Sequence, residues 1–152
     1  MISTVEEFKE AKDFVLQIKE KLLSEGVYIN DNIKFGAMVE TPAAALVSDE
    51  LSKIADFLSI GTNDLIQYTM AIDRNDENLN YLYQPMNRAI LKLIKLTIAS
   101  AHENNKPCYI CGEMASDEKA IPILIKFGVD ELSVSENKIL KTRKVVKKSK
   151  TY

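Results

Sequence analysis

The chain has 152 residues, 46% hydrophobic and 28% charged, with a net charge of −2. That length suffices for one domain with a real core, and the composition is that of an ordinary soluble globular protein. The near-neutral balance gives no general attraction to nucleic acid or to an anionic membrane, and no apolar run reaches the roughly 20 residues of a membrane span.

The N-terminus shows no basic stretch followed by an apolar one, and there are only two cysteines. Both observations predict a protein of the reducing cytoplasm. No internal repeat or low-complexity segment is evident.

Ser3 and Glu6 form a Ser-x-x-Glu capping pattern. Val5, Phe8, Val15, Ile18 and Leu22 follow at helical spacing, and Gly26 supplies a stop. A long amphipathic helix is predicted there, with Met1-Ile2 as the stub of a preceding strand. Residues 28–32 are polar and loop-like. Residues 35–40 read as a buried strand whose period of two puts Met38 and Glu40 on one face. Thr41-Pro42 then opens a helix, with Thr as N-cap and Pro in the first turn, running to about Lys53.

Residues 57–60 form a second apolar run, suited to a strand buried on both faces. Gly61 permits a sharp turn. The polar cluster Thr62, Asn63, Asp64 follows, and then a helical pattern through Leu65, Tyr68, Met70 and Ala71 to Asp73-Arg74. Strand, glycine turn, polar cluster and helix make the layout of a catalytic βα loop. For Asp64 this leaves two readings open: metal or acid–base chemistry, or plain helix capping.

Residues 75–80 read as an exposed loop and residues 81–85 as a short helical turn. Asn87 caps a helix with Ile90, Ile94, Ile98 and Ala101 on its apolar face. His102, near its end, reads as a surface residue. Residues 107–111 predict a third strand. Pro122 delays the next helix to about Ala120, and Gly128 ends it. Residues 130–135 predict a last short strand. The tail from Lys138 is rich in Lys and Arg and has no acid. It is expected to be a frayed or truncated helix rather than a nucleic-acid arm.

One helix followed by four strand–helix units predicts an α/β fold with a parallel sheet and helices outside it. An eight-stranded (β/α) barrel takes about 250 residues, so four units make about half of a TIM barrel.

Glu40, Asp64 and Cys111 all fall at or just past strand ends, where barrel active sites are assembled. Two carboxylates there suit a hard cation such as Mg²⁺, with positions left for substrate oxygens. The amides around Gly61, Thr62 and Asn63 precede a helix and favour an anion, and Arg74 suits phosphate or carboxylate. Cys108-x-x-Cys111 is not expected to be a redox or zinc pair. Three residues apart on a strand means opposite faces, and no second pair completes a zinc site. Cys108 reads as a packed hydrophobe.

Three motifs carry a resemblance across nearly the whole chain. They are Gly36-Ala-Met-Val-Glu-Thr-Pro-Ala-Ala44, Phe57-Leu-Ser-Ile-Gly-Thr-Asn-Asp-Leu-Ile-Gln-Tyr-Thr-Met-Ala-Ile-Asp-Arg74 and Cys111-Gly-Glu-Met-Ala115. Tyr81-Leu-Tyr-Gln-Pro85 and Gly128-Val-Asp-Glu-Leu-Ser-Val-Ser135 also fit. The sequence resembles the phosphoenolpyruvate–protein phosphotransferase family, enzyme I of the bacterial sugar phosphotransferase system.

The resemblance implies a (β/α)8 barrel that binds phosphoenolpyruvate and Mg²⁺. In the family the phosphoryl group passes to an enzyme histidine and then to the carrier HPr, for sugar uptake. It implies that Glu40 and Asp64 hold Mg²⁺, that Asn63, Asp64 and Arg74 meet the substrate, and that Cys111 protonates the enolate. It further implies that the phosphohistidine domain, the HPr-binding domain and the first half of the barrel lie outside this chain. On that reading the chain ends before its last helix and is inactive alone.

Ser116 stands where the family usually has Gly, Arg88 where it often has Pro, and His102 matches no phospho-acceptor motif. Two alternatives stay open: a fragment of a related phosphoenolpyruvate-using enzyme of the pyruvate phosphate dikinase type, and a non-catalytic half barrel. The two open sheet edges of a half barrel predict self-association, as a homodimer or larger.

Overall fold

Four parallel strands lie side by side in chain order in the computed structural model, which describes residues 1–30, 32–73 and 76–149. They are β1 (Ala37–Val39), β2 (Leu58–Gly61), β3 (Cys108–Cys111) and β4 (Glu131–Leu132). The register aligns Val39 with Ile60, Ile60 with Ile110, and Ile110 with Leu132. Parallel neighbours need a crossover between them, and helices supply it here. The result is part of a βα barrel wall, with β1 and β4 as its open edges.

The helices are α1 (Val5–Ser24), α2 (Pro42–Leu46), α3 (Ser48–Ile54), α4 (Thr62–Met70), α5 (Arg88–Glu103), α6 (Ile121–Phe127) and α7 (Ile139–Ser149). They bury one face of the sheet. Ala37, Val39, Leu58, Ile60, Cys108 and Ile110 point into that layer and are almost fully buried. From the helix side come Ala44, Ala45, Leu51, Leu65, Ile66 and Leu124, with the predicted stripe Ile90, Ile94, Ile98 and Ala101 of α5. A polar lock also joins α3 to α5. Ser52 Oγ donates to Ser100 O at 3.0 Å, and Asn104 Nδ2 donates to Ser52 Oγ at 3.0 Å.

The other sheet face is open. Met38 is 40% exposed there, and Phe57, Ser59 and Tyr109 are only partly buried. Residues 57–60 were expected to be buried on both faces; within this chain Leu58 and Ile60 are buried on the helix side, while Phe57 and Ser59 are only partly so. Phe57 and Tyr109 cover part of the open face with each other, their ring centroids 5.3 Å apart.

Several local expectations shift. The capping box is Thr4 with Glu7, one residue later than Ser3 with Glu6; Thr4 Oγ1 accepts the Glu7 N–H at 3.2 Å. Met1-Ile2 forms no strand. Only Val5 and Phe8 of the α1 stripe are buried, while Val15 and Ile18 stay about two-fifths exposed. The helix after Thr41 breaks at Val47 into α2 and α3. Within the described residues the basic tail forms a regular eleven-residue helix, α7, where a frayed one was expected. Thr142, Val145 and Val146 of α7 line grooves with Pro122, Ile125 and Leu132, and Lys141 pairs with Glu118 at 2.8 Å. That apolar face holds the helix in place despite its charge.

Candidate functional site

The C-terminal ends of β1, β2 and β3 bring three chemically active side chains to one rim. Glu40 follows β1, and Thr41 caps α2 directly after it by accepting the Ala44 N–H at 3.1 Å. Gly61 ends β2 and is itself the N-cap of α4, with no side-chain cap. Asp64 sits in the first turn of α4 and is not the cap, which removes the capping alternative. Cys111 ends β3 opposite Gly61. Glu40 comes one step beyond the Val39–Ile60 pair. Glu40, Gly61 and Cys111 thus form one row across the sheet.

Gly61 is the gap in that row. A Cβ there would lie 3.1 Å from Glu40 Oε2 and 3.3 Å from Met38 Sδ. The absent side chain lets the carboxylate lie over the central strand.

Asn63 is fixed by the next loop. Its Oδ1 accepts the Glu113 N–H at 3.0 Å and lies 3.5 Å from the Tyr83 hydroxyl. With the carbonyl end engaged, Nδ2 is the end left to donate to an anionic oxygen. Thr62 Oγ1 donates to Cys111 O at 2.7 Å, tying the start of α4 to the end of β3. Gly112 makes this approach possible: at φ 88° and ψ −173° it holds a backbone shape reserved for glycine, and a Cβ would run into Thr62 Oγ1. The side-chain role of Thr62 and the parts of Gly112, Met38 and Ser59 went unassigned in the sequence, although the period of two that pairs Met38 with Glu40 was the signal for this face. Arg74 lies outside the described residues. Ser116, the departure from the family pattern, closes its own turn by donating to Glu113 O at 3.2 Å.

The electrostatics agree with this clustering. Burial, and then the charge of Asp64, push the Glu40 carboxyl above the usual range, partly offset by the chain's N-terminal ammonium. Burial likewise raises the Cys111 thiol; a hydrogen bond from Ser59 opposes the rise, and the charges of Glu40 and Asp64 add to it. Among the described residues no group of three or more His, Cys, Asp or Glu gathers into a metal cage. Two carboxylates close enough to repel still suit a hard divalent cation, which would relieve their repulsion and keep positions for water or substrate oxygens. A cleft of about 850 Å³ opens beside this rim, reached from Asn63, Gly112, Glu113, Ser133 and Lys138.

The remaining candidates sit elsewhere. Cys108 lies on the helix side, as its spacing from Cys111 predicted, and burial pushes its thiol up to about 12. His102 Nε2 meets Asp130 Oδ2 at 2.9 Å, and the same oxygen accepts the Cys108 N–H at 2.8 Å. This pair belongs to the start of β3, the end of the sheet away from the rim.

The family described as PEP-utilising enzyme, PEP-binding domain, matches residues 1–151. The chain belongs to this family. Among its relatives, a phosphoenolpyruvate-protein phosphotransferase of Bacillus subtilis is 55% identical over 97% of the chain. Proteins of the same name from Listeria monocytogenes and Mycoplasma capricolum are each 50% identical over 97% of it. The chain spans 26% of the length of each of these relatives. In this PEP-binding family the rim of Glu40, Asp64, Asn63 and Cys111 is the natural candidate site, because it alone gathers acids, an amide donor and a thiol at one end of the sheet among the described residues. No helix among the described residues is long and apolar enough to cross a membrane.

Proposed function

We propose that this chain forms half of a phosphoenolpyruvate site in a cytoplasmic phosphoenolpyruvate–protein phosphotransferase. The observation that carries the reading is the convergence of Glu40, Asp64 and Cys111 on one rim, in a chain half-identical to proteins of that name. Glu40 and Asp64 would hold Mg²⁺, which supplies charge neutralisation to the phosphate when bound. Asn63, through Nδ2, and Arg74 would orient the phosphate. When the phosphoryl group leaves for a histidine elsewhere in the protein, an enolate remains. Cys111 gives its Sγ proton to the enolate carbon, pyruvate forms, and the thiolate regains a proton from water. HPr would receive the phosphoryl group through parts of the protein beyond this segment. The open edges at β1 and β4 would be met by further barrel strands or, in the chain alone, by a second copy.

The test is to exchange this segment into the Bacillus subtilis relative and measure phosphorylation of HPr by phosphoenolpyruvate at limiting Mg²⁺. Glu40→Gln and Asp64→Asn should each slow transfer by about 10²-fold or more. Near-normal rates in both would sink the assignment.

A further inference from the structure

Cys111 does not stand alone on the open face. Its Sγ lies 4.0 Å from Met38 Sδ and 3.6 Å from Ile60 O. Met38 sits on β1 and Cys111 on β3, with β2 between them. Two strand spacings amount to about 9.6 Å, too far for ordinary neighbours to touch. Contact is made because Gly61, the residue of β2 opposite Cys111, has no side chain, and Met38 leans into that gap.

We propose that Met38 is a positioning residue for the Cys111 thiol, seating the sulfur so that its one proton faces the open side of the sheet. The inference rests on Cys111 being the proton donor. The acceptors open to that proton are the Ile60 carbonyl and the Met38 thioether. A thioether is a weak acceptor on a flexible, polarisable arm, so it guides the proton without holding it. Leucine would fill the same volume without that interaction. The donation to the enolate is unchanged in its balance: the S–H bond breaks, a C–H bond forms, and the thiolate recovers a proton from water.

The experiment uses the chain itself at one pH. The S–H stretching band of Cys111 is identified by its loss in Cys111→Ser. Met38→Leu should shift this band, because the thiol turns to the Ile60 carbonyl alone. Cys108 is a built-in check on folding: it is fully buried, so its alkylation would reveal a variant that has opened. In that event Met38→Ile replaces Met38→Leu. An unmoved band in folded Met38→Leu overturns the proposal. The exchanged full-length protein separates the two levels. If Cys111→Ala there forms pyruvate normally, the proton-donor reading fails, whatever the band does. If it does not, Met38→Leu should lower kcat with an unchanged KM for phosphoenolpyruvate.

Discussion

Gly112→Ala tests how the rim is held together. The residue sits at φ 88° and ψ −173°, a conformation nearly closed to other residues, with a cost of about 1–3 kcal/mol. The added Cβ would also collide with Thr62 Oγ1 and lie 2.9 Å from Asn63 Oδ1. Relief requires Thr62 to leave Cys111 O, a net loss of about 1 kcal/mol. The sum is about 2–4 kcal/mol, a large part of the 5–15 kcal/mol that holds a typical domain. For a chain of this length it corresponds to a fall in Tm of about 4–16 °C. Gly26→Ala is the matched control. Gly26 is also left-handed, at φ 79°, but a Cβ there meets nothing within 4 Å. It should cost only the backbone term, about 1–2 kcal/mol. Urea unfolding of both variants, compared at equal m, measures the difference. If Gly112→Ala is no more destabilising than Gly26→Ala, the contacts with Thr62 and Asn63 do not hold the loop, and the account of the rim is wrong.

Two further outcomes are expected. Thr4→Ala should cost about 1 kcal/mol in urea unfolding while Ser3→Ala costs little, because Thr4 is the true N-cap; equal effects would restore the earlier register. Burial alone would raise the Asp130 carboxyl, but the Cys108 N–H and His102 outweigh it and leave the group below its ordinary range. A depressed carboxyl contributes stability above its unfolded pKa of about 3.9, and that contribution fades as pH falls through the lower folded value. The acid limb of the stability curve below about pH 4 should therefore be shallower in Asp130→Asn than in the native chain, and identical limbs would contradict the assignment.

What the sequence determined by itself is local. Alternating strand and helix follow from periodicity. Thr41-Pro42 and Asn87 start helices with groups already at hand, and Gly26 and Gly128 end them. The positions of Glu40, Asp64 and Cys111 at strand ends needed only the strand boundaries, so the acids and thiol of the candidate site were legible before any packing was known. Tertiary structure decided what these groups touch. Thr62 meets Cys111, Asn63 meets Glu113, His102 meets Asp130 and Met38 meets Cys111 across 28 to 73 residues of chain, and no local pattern encodes such pairs. It also decided between two capping boxes that are equal on paper. Ser3 with Glu6 and Thr4 with Glu7 each satisfy the rule, but only one start can be used, and the helix that begins at Val5 buries Val5 and Phe8 against the core. In the same way the sheet's open face follows from which strands are present to cover it. Side-chain alternation sets which residues lie on a face, and only neighbouring chain can bury them.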